Sequence, residues 1–324
     1  MDNEILVSVV IPVKNGDHWL KETIPAILDQ KIDGKLEIVV IDSGSTDNSL
    51  TILREYGIEP VHIKPEEYNH GLTRNVGVRH SRGHFVVLTV QDAKPVSSHW
   101  LRMLMEGFVD ETVAGVCGLQ IVPHHLNKNP VEWFRPVSRP AIRKYHFRNQ
   151  DDFLQLDPQK QLEICRWDDV NAMYKREVLL QIPFRETDFA EDVLWAKDAL
   201  MAGHSIVYNP SAQVEHYHFG DYFYSFRRNF IVQYHFYKFF GVLPDTKHHV
   251  RRKASKLKTI LSEPGIGLKK KLYWIRYNYV NQKAVRDSNR MLVDCISSGK
   301  PEKLENMYKN LILAIPQAPR EITK

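Results

Sequence analysis

The sequence predicts an α/β protein in which helices flank a mostly parallel sheet and a helical extension follows. Three observations lead to this fold class. Short apolar runs rich in β-branched residues recur along the first two thirds of the chain, amphipathic segments separate them, and the composition changes near Gly220. Strands that alternate with helical segments of about 10–15 residues are typical of βαβ units and of parallel sheets.

Each predicted strand is an apolar run that ends at turn residues. The run over residues 85–90 stays apolar and then turns polar at Gln91 and Asp92. This pattern is typical of a strand buried on both faces, in the middle of a sheet. The predicted strands, in order, are residues 5–13, 36–41, 60–64, 85–90, 113–122, 204–208 and 213–216.

The predicted helices lie between these strands and are bounded by residues that favour helix termini. Apolar side chains recur at helical spacing over residues 18–30. Thr46 or Asp47 can cap the next helix, and Gly57 ends it. Two further helices are predicted over residues 69–80 and 190–202.

Two segments depart from this alternation. Residues 123–165 are rich in Pro, His, Arg and Asp and keep no periodicity, which predicts a long functional loop or lid. Beyond Gly220, aromatic residues alternate with Lys and Arg, and helical segments are expected around residues 246–262, 267–284 and 285–298. We therefore predict a domain over residues 1–220 and a basic, aromatic-rich helical region over residues 221–324.

The composition excludes several classes of protein. The 324 residues are 43% hydrophobic and 26% charged, as in ordinary globular proteins. No run approaches the roughly 18–20 apolar residues that span a bilayer, and the N-terminus lacks the pattern of a secretory signal. Three widely spaced cysteines argue against a disulfide scaffold or a zinc finger. The expected location is the cytoplasm.

The formal net charge of +5 hides a strong asymmetry. Residues 1–220 contain 23 Lys and Arg against 31 Asp and Glu, a net charge of −8, whereas residues 221–324 contain 21 against 8, a net charge of +13. A basic, aromatic segment fits the anionic inner face of a cell membrane. A helical cap with solvated charges or a homodimer seam fits the same pattern. Nucleic acid is not expected as a partner, because no recognition motif accompanies the charge.

Polar residues at the ends of two neighbouring strands predict a nucleotide site. In an open parallel sheet, ligands bind outside the carboxyl ends of the strands. Asp42 can accept the imide N–H of a pyrimidine or a ribose hydroxyl, although it can equally cap the helix that follows. The candidate nucleotide-sugar contacts on these two turns are Pro12, Val13, Asn15, Asp42, Ser43 and Gly44.

Asp92, which ends the strand over residues 85–90, is a candidate metal ligand. One protein carboxylate can suffice when phosphates and waters supply the other ligands, although a turn Asp before Pro95 can also bond its own backbone. His216 and His218 follow a short strand at positions i and i+2, so they point the same way and can share a metal or a phosphate. A histidine beside a carboxylate suits Mn²⁺ better than Mg²⁺.

Glu191 and Asp192 form an acidic pair at the first turn of a predicted helix. Such a pair in a cleft suits a base that removes a proton from a sugar hydroxyl. The helix N-terminus also stabilises a carboxylate and depresses its pKa, so one of the two can be a simple partner of the helix dipole.

Six segments of the chain resemble, in order, the family 2 glycosyltransferases of the GT-A fold. The resemblance covers roughly residues 7–220 and implies a GT-A-type, Rossmann-like sheet. DSGSTD, NHG-x-TRN and QDA make the chain most similar to dTDP-L-rhamnose-dependent rhamnosyltransferases. The six segments are SVVIPVKNG, EIVVIDSGSTDNSL, NHGLTRNVG, VLTVQDAKP, NAMYKREVL and AEDVLWAKDALMAGHSIVYNPSAQVEHYH.

The resemblance implies roles for individual residues. Asp42 matches the position that contacts the pyrimidine, and Arg74 matches one that approaches the nucleotide or its phosphates. Asp192, preceded by Glu191, matches the general base of the family's Glu-Asp motif.

The metal motif of the family is Asp-x-Asp, and here it reads Val90-Gln91-Asp92. The first carboxylate is thus replaced by Val90, which puts two-carboxylate coordination in doubt. Asp92 matches the metal ligand, Gln91 lies beside it as a donor contact, and the resemblance makes His218 a second ligand. The implied cofactor is Mn²⁺ or Mg²⁺.

The implied function is inverting transfer of a sugar from a nucleotide-sugar donor, dTDP-L-rhamnose, to a glycan or lipid-linked glycan acceptor of a bacterial-type cell-surface polysaccharide such as O-antigen. A UDP- or GDP-linked donor and an inactive nucleotide- or carbohydrate-binding module are the alternatives. A nucleotidyltransferase would open with a Gly-rich phosphate loop, which PVKNGDHW lacks. The candidate acceptor contacts are Trp133, Arg139, Arg143 and Trp167.

Overall fold

The computed structural model describes residues 4–135, 141–246 and 250–312, without the side chains of residues 250–253. The chain divides into two compact units. The first comprises Met1–Ile121 and Val137–His216, and the second comprises Val122–Pro136 and Tyr217–Lys324. The predicted boundary near Gly220 thus lies a few residues beyond the unit boundary, and the segment 122–136 belongs with the second unit. Arg139 lies outside the described residues.

The first unit is a mixed sheet with helices on its faces. Its strands are β1 Ile5–Val13, β2 Lys35–Asp42, β3 Val61–His62, β4 Phe85–Thr89, β5 Lys94–Pro95, β6 Val113–Ile121, β7 Arg143–Tyr145, β8 Asn171–Lys175 and β9 Ser205–Glu215. Its helices are α1 Asp17–Leu28, α2 Ser49–Glu55, α3 His70–His80, α4 Trp100–Met105, α5 Gln150–Leu154, α6 Pro158–Ile164, α7 Arg176–Gln181 and α8 Glu191–Met201.

The strand order across the sheet is β3-β2-β1-β4-β8-β6-β9-β5, and β7 pairs with β9. The pairs β1–β2, β1–β4, β2–β3 and β6–β9 are parallel, and these ladders join more residues than the antiparallel ones. The α/β fold class with a mostly parallel sheet and a helical C-terminal region is therefore confirmed. The centre of the sheet is buried on both faces, since Val7, Val9 and Val10 of β1 are all 0% exposed.

Several strands end in polar residues on the same side of this sheet, which we call the sheet edge. Val13 pairs with Asp42, so β1 and β2 end side by side. Strand β8 runs antiparallel to β4, with Thr89 opposite Asn171, so the residues before β8 lie at the same edge. Strands β6 and β9 also end there, because β6 is antiparallel to β8 and parallel to β9.

Two details of the predicted elements of this unit are wrong. Residues 204–208 and 213–216 belong to one strand, β9, whose register with β6 shifts around Pro210. A bulge lets a strand continue through a proline, which sequence patterns read as a break. The segment 123–165 is not wholly irregular, since it contains β7, α5 and α6. These elements of three to seven residues are too short to show a periodicity.

The second unit is built from helices α9 Tyr222–Phe240, α10 Val250–Ser262, α11 Leu268–Ser297 and α12 Pro301–Ile312. The predicted break in α11 is wrong, because this segment contains neither Gly nor Pro. Part of the aromatic stretch of α9 packs inside this unit: the ring of Tyr234 stacks on Tyr308 at 4.1 Å, and Phe230 is fully buried, whereas Phe223 is 65% exposed. In the segment 122–136, the amide of Asn129 exchanges hydrogen bonds of 2.9 and 3.1 Å with Asn278 of α11.

Candidate active site

The turns after β1 and β2 are tied together by side-chain hydrogen bonds. Oδ1 of Asn15 accepts the N–H of Thr46 at 2.8 Å, and Oγ of Ser45 accepts the N–H of Asn15 at 3.0 Å. Asn15 has a left-handed backbone with φ of 50°, which Asn tolerates better than most residues. The two turns therefore form one preorganised surface at the sheet edge.

Asp42 lies at the bottom of this surface and is 2% exposed. Its carboxylate accepts the N–H groups of Gly44 at 3.1 Å and Ser45 at 3.2 Å, and Nδ1 of His62 lies 3.3 Å from Oδ2. The turn needs glycine at position 44, where φ is +87° and a Cβ would lie 2.8 Å from Pro65. Asp42 thus orders its own turn and does not cap α2, which begins at Ser49, and it faces the edge where a nucleotide is expected.

Gln91 joins the ends of β4 and β1. Its Oε1 accepts the N–H of Lys14 at 3.0 Å, and its Nε2 donates to the carbonyl of Lys14 at 3.2 Å. Both ends of the amide are therefore used to hold the turn after β1. The predicted contact of Gln91 with the donor stays a prediction, and the observed role is to fix the position of the turn that begins at Lys14.

A buried cluster of charges lies beside the start of α8. Arg74 of α3 is 5% exposed, and its Nη1 lies 2.7 Å from Oε1 of Glu191 while its Nε lies 3.1 Å from Oδ2 of Asp169. Asp169 also accepts the hydroxyl of Tyr174 and is 1% exposed. Arg74 was predicted to approach the nucleotide. The structure instead places its guanidinium among carboxylates, so the nucleotide contact stays a prediction.

One guanidinium faces several carboxylates in this cluster, and this imbalance shifts their pKa values. Burial raises the pKa of Asp169 to about 7, against the lowering effect of Arg74. Burial alone would lower the pKa of Arg74, but Glu191 and Asp169 more than offset it and keep the guanidinium charged. Burial also raises the pKa of Asp192 well above its usual range, and the charges of Glu191 and Asp169 add to the rise.

Asp192 differs from its neighbours in being partly exposed. It follows Ala190, the residue before α8, whose left-handed backbone with φ of 62° sets the direction in which the helix begins. The N–H of Asp169 approaches Oδ2 of Asp192 at 3.4 Å. The helix N-terminus was expected to depress the pKa of one carboxylate of the pair; the pKa of Asp192 is raised, because burial among like charges outweighs the helix dipole.

Asp92 and His216 lie together at the ends of β4 and β9. Nε2 of His216 is 3.6 Å from Oδ1 of Asp92, and the two side chains are 8% and 15% exposed respectively. Ligand bonds of about 2.1 Å place two donors of one ion at most about 4.2 Å apart. A carboxylate oxygen and an imidazole nitrogen at this distance therefore fit a divalent cation. His218, the predicted second ligand, belongs to the second unit and stays a prediction.

Two of the candidate acceptor contacts have buried rings, and their contact with an acceptor stays a prediction. Trp167 is 4% exposed, donates from Nε1 to the hydroxyl of Tyr174 at 2.6 Å and packs 5.7 Å from the ring of Trp195. Trp133 is also 4% exposed and donates to the carbonyl of His125 at 3.1 Å. Arg143 opens β7 and is exposed; its contact with an acceptor stays a prediction.

Asp168, Asp169 and Gln120 also belong to this site and were not predicted from the sequence. Asp168 and Asp169 precede β8, and a sequence argument that looks only after strands overlooks the start of an antiparallel strand. Gln120 accepts from Nδ1 of His216 at 2.6 Å and donates from Nε2 to Asp168. An Asp-Asp pair directly before an apolar run, and a Gln near the end of another, were the available signals.

Comparison with known families gives a match that covers more than half of the chain. The model of the family described as "Glycosyl transferase family 2" matches residues 8–182. This range contains most of β1, all of β2 to β8, and Asp42, Asp92 and Asp169, and it ends shortly before Asp192.

Two curated relatives are O-antigen chain rhamnosyltransferases. The chain is 32% identical to WbaN of Salmonella anatum over 193 residues, and this aligned segment covers 56% of each protein. It is 27% identical over 220 residues to RfbN of Salmonella typhimurium, which covers 65% of this chain and 66% of that relative. The match thus spans between about half and two thirds of the length of these relatives.

Two solved structures share the fold. One is a mannosyltransferase of Pyrobaculum calidifontis in complex with GDP-Man and Mn²⁺, which is 18% identical with a TM-score of 0.52. The alignment covers 97% of this chain and 81% of the mannosyltransferase chain. TarS residues 1–349 of S. aureus are 16% identical with a TM-score of 0.52 and cover 96% of this chain and 91% of their own. The sheet with its polar edge and the family match over residues 8–182 lead to one conclusion: the chain belongs to glycosyl transferase family 2.

Proposed function

We propose that this glycosyltransferase transfers L-rhamnose from dTDP-L-rhamnose, with inversion, to a hydroxyl of a glycan or lipid-linked glycan. The observation that carries the proposal is the placement of Asp192, a partly exposed carboxylate with a raised pKa, beside the sheet edge that holds Asp42 and Asp92. The similarity to two O-antigen chain rhamnosyltransferases supports rhamnose as the sugar.

The chain supplies the parts that an inverting transfer requires. Among the described residues, two main-chain N–H groups and the ring of His62 use part of the acceptor capacity of Asp42, which leaves room for the imide N–H of thymine. Asp192 takes the proton of the acceptor hydroxyl as that oxygen attacks the anomeric carbon. The proton moves to a carboxylate oxygen, and the bond from the sugar to the diphosphate breaks on the opposite face.

Asp92 and His216 would hold a divalent cation at the diphosphate. When bound, such a cation offsets the charge of the phosphates and helps the nucleoside diphosphate to leave. Arg74 holds the carboxylate of Glu191 at 2.7 Å and so positions the start of α8, from which Asp192 projects.

The donor is tested by titration calorimetry of dTDP-L-rhamnose, UDP-glucose and GDP-mannose, each with and without Mn²⁺. We expect tight, metal-dependent binding of the dTDP-linked donor alone, and we expect Asp92→Asn to lose the effect of the metal. Equal binding of the three donors, or binding of none, would overturn rhamnose as the donor sugar.

We also infer that the second unit rests on an anionic membrane surface. Leu257 and Leu261 of α10, and Leu268 and Leu272 of α11, are 42%, 51%, 72% and 59% exposed. We call these four residues the leucine patch. Each pair is spaced by four residues and therefore lies on one face of its helix. Lysines accompany them on the same two helices: Lys256, Lys258, Lys269, Lys270 and Lys271.

Exposed leucines next to lysines fit the boundary between lipid headgroups and acyl chains. The sequence predicted membrane contact through the basic, aromatic segment. Phe230, Tyr234 and Phe240 of that segment are buried inside the second unit, so we assign the contact with lipid to the leucine patch. A lipid-linked acceptor would lie at the same membrane surface.

A further inference from the structure

Three side chains of the first unit form a hydrogen-bonded series behind the candidate metal ligands. Val170 donates its N–H to Oδ1 of Asp168 at 3.0 Å, and Oδ2 of Asp168 accepts from Nε2 of Gln120. Oε1 of Gln120 lies 2.6 Å from Nδ1 of His216. The series therefore runs from the start of β8 through the end of β6 to the end of β9.

The chemistry of the series fixes the orientation of each group. A carboxylate only accepts hydrogen bonds, so the amide nitrogen of Gln120 must face Asp168 and its oxygen must face His216. An amide oxygen also only accepts, so Nδ1 of His216 carries the proton. The neutral ring then has its lone pair on Nε2, the nitrogen that lies 3.6 Å from Oδ1 of Asp92.

We propose that Gln120 is a positioning residue that holds His216 in the tautomer required to bind a divalent cation together with Asp92. The proposal rests on the metal dependence of the proposed function and adds a residue that does not touch the ion. Groups that orient a metal-binding histidine through its second nitrogen raise metal affinity by about 10–100-fold. An amide suits this position because a second carboxylate would lie against Asp168.

The decisive variant is Gln120→Met, which keeps an unbranched side chain of similar length and removes both hydrogen bonds. The matched control is Gln161→Leu, since Gln161 is 8% exposed and donates to the carbonyls of Leu154 and Leu156, away from His216.

Two measurements on the full chain test the proposal. Binding of Mn²⁺ alone, followed by electron paramagnetic resonance of the free ion, should weaken about 10–100-fold in Gln120→Met and by less than about threefold in Gln161→Leu. Nitrogen-15 NMR of the metal-free protein, with His216 assigned from His216→Gln, should show the proton on Nδ1 in the wild type and a mixture of tautomers in Gln120→Met.

Wild-type affinity for Mn²⁺ in Gln120→Met, or a wild-type His216 protonated on Nε2, would overturn the role of Gln120 and leave the proposed function in place. A wild-type chain that transfers rhamnose without binding Mn²⁺ would also overturn it. A wild-type chain that neither binds Mn²⁺ nor transfers rhamnose would remove the proposed function as well. If Gln120→Met does not fold, the NMR spectrum of the wild type tests the proposal alone, through the nitrogen of His216 that carries the proton.

Discussion

Asp192 is a carboxylate with a raised pKa, and this determines how activity should depend on pH. Below that pKa the carboxyl is protonated and cannot take the proton of the acceptor, so kcat/KM should fall as the pH falls through it. The usual pKa of Asp is about 3.9. Because burial and the neighbouring carboxylates raise the pKa of Asp192, the acid limb of the pH profile should lie above that value. The pH profile of rhamnosyl transfer measures it.

Asp192→Asn should lower kcat by about 10²–10⁴-fold, the usual contribution of a general base, while the Kd of the donor changes by less than about twofold. Transfer kinetics and calorimetry on the same variant measure the two quantities. Asp198→Asn is the control on the same helix, since Asp198 pairs with Arg185 at the surface. Near-normal turnover of Asp192→Asn, or an equal loss in the control, would show that Asp192 is not the base.

Arg74 is a buried cation whose removal leaves carboxylates uncompensated. Arg74→Met should therefore lower the free energy of unfolding by about 3–5 kcal/mol, as measured by urea denaturation at pH 8. Arg79→Met, on the exposed face of the same helix, should change it by less than about 0.5 kcal/mol.

The loss in Arg74→Met should shrink as the pH falls. A buried Asp with a raised pKa stabilises the fold while it is protonated, and this stability is lost as the pH rises through that pKa. Asp169 has a pKa of about 7 with Arg74 present, and removal of the cation raises it further. The variant should hence be closer to the wild type at pH 5.5 than at pH 8. A loss that does not change with pH would contradict this account.

Strand ends could be predicted from the sequence more completely than the site they build. An apolar run followed directly by a carboxylate is visible in a short stretch of sequence. Asp42 and Asp92 could therefore be placed at one edge of the sheet before the structure was known. Asp169 reaches the same edge because β8 runs antiparallel to β4, which depends on contacts far apart in the chain. Arg74 could be read as a nucleotide ligand because sequence shows charge and does not show burial.

Elements were predictable where their periodicity extends over enough residues. Strand β1 matches its prediction over residues 5–13, since its run of apolar residues is long and ends at a turn. Helix α4, with six residues, and strand β5, with two, form because neighbouring elements cover them. Their stability comes from tertiary packing, which a short sequence window does not contain.

Helix α3 packs against β1 at Gly77, and this contact gives opposite expectations from propensity and from packing. Helix propensity alone predicts that Gly77→Ala stabilises the protein by about 1 kcal/mol. A Cβ at position 77 would however overlap Cγ1 of Val10, which is fully buried, so we expect a loss of about 1–3 kcal/mol in the free energy of unfolding. Denaturation of Gly77→Ala decides the sign.

The double variant Val10→Ala/Gly77→Ala is the control for this contact. Removal of the Val10 methyl groups makes room for the new Cβ, so the second substitution should cost less than in the wild-type background. Equal costs in the two backgrounds would show that the loss has another origin.

At the scale of the whole chain, charge is divided unevenly, with a net charge of +13 over residues 221–324. Over residues 4–135, 141–246 and 250–312, the structure shows no helix that combines the length and the apolar character needed to cross a bilayer. The membrane contact proposed above uses the basic side chains of these helices and the leucine patch.

Binding to vesicles tests this membrane contact. The protein should sediment with vesicles of phosphatidylcholine and phosphatidylglycerol, much less with phosphatidylcholine alone, and less at high salt, because screening weakens its attraction to anionic lipid. Leu268→Ser/Leu272→Ser should weaken the binding by about tenfold for each leucine removed, since burial of one such side chain contributes about 1.5 kcal/mol or more. Leu154→Ser/Leu180→Ser, which removes two leucines of the first unit with 49% and 45% exposure, is the control and should bind as the wild type does. Equal binding of both double variants would show that the leucine patch does not contact lipid, and equal binding to neutral vesicles would show that the charge does not direct it.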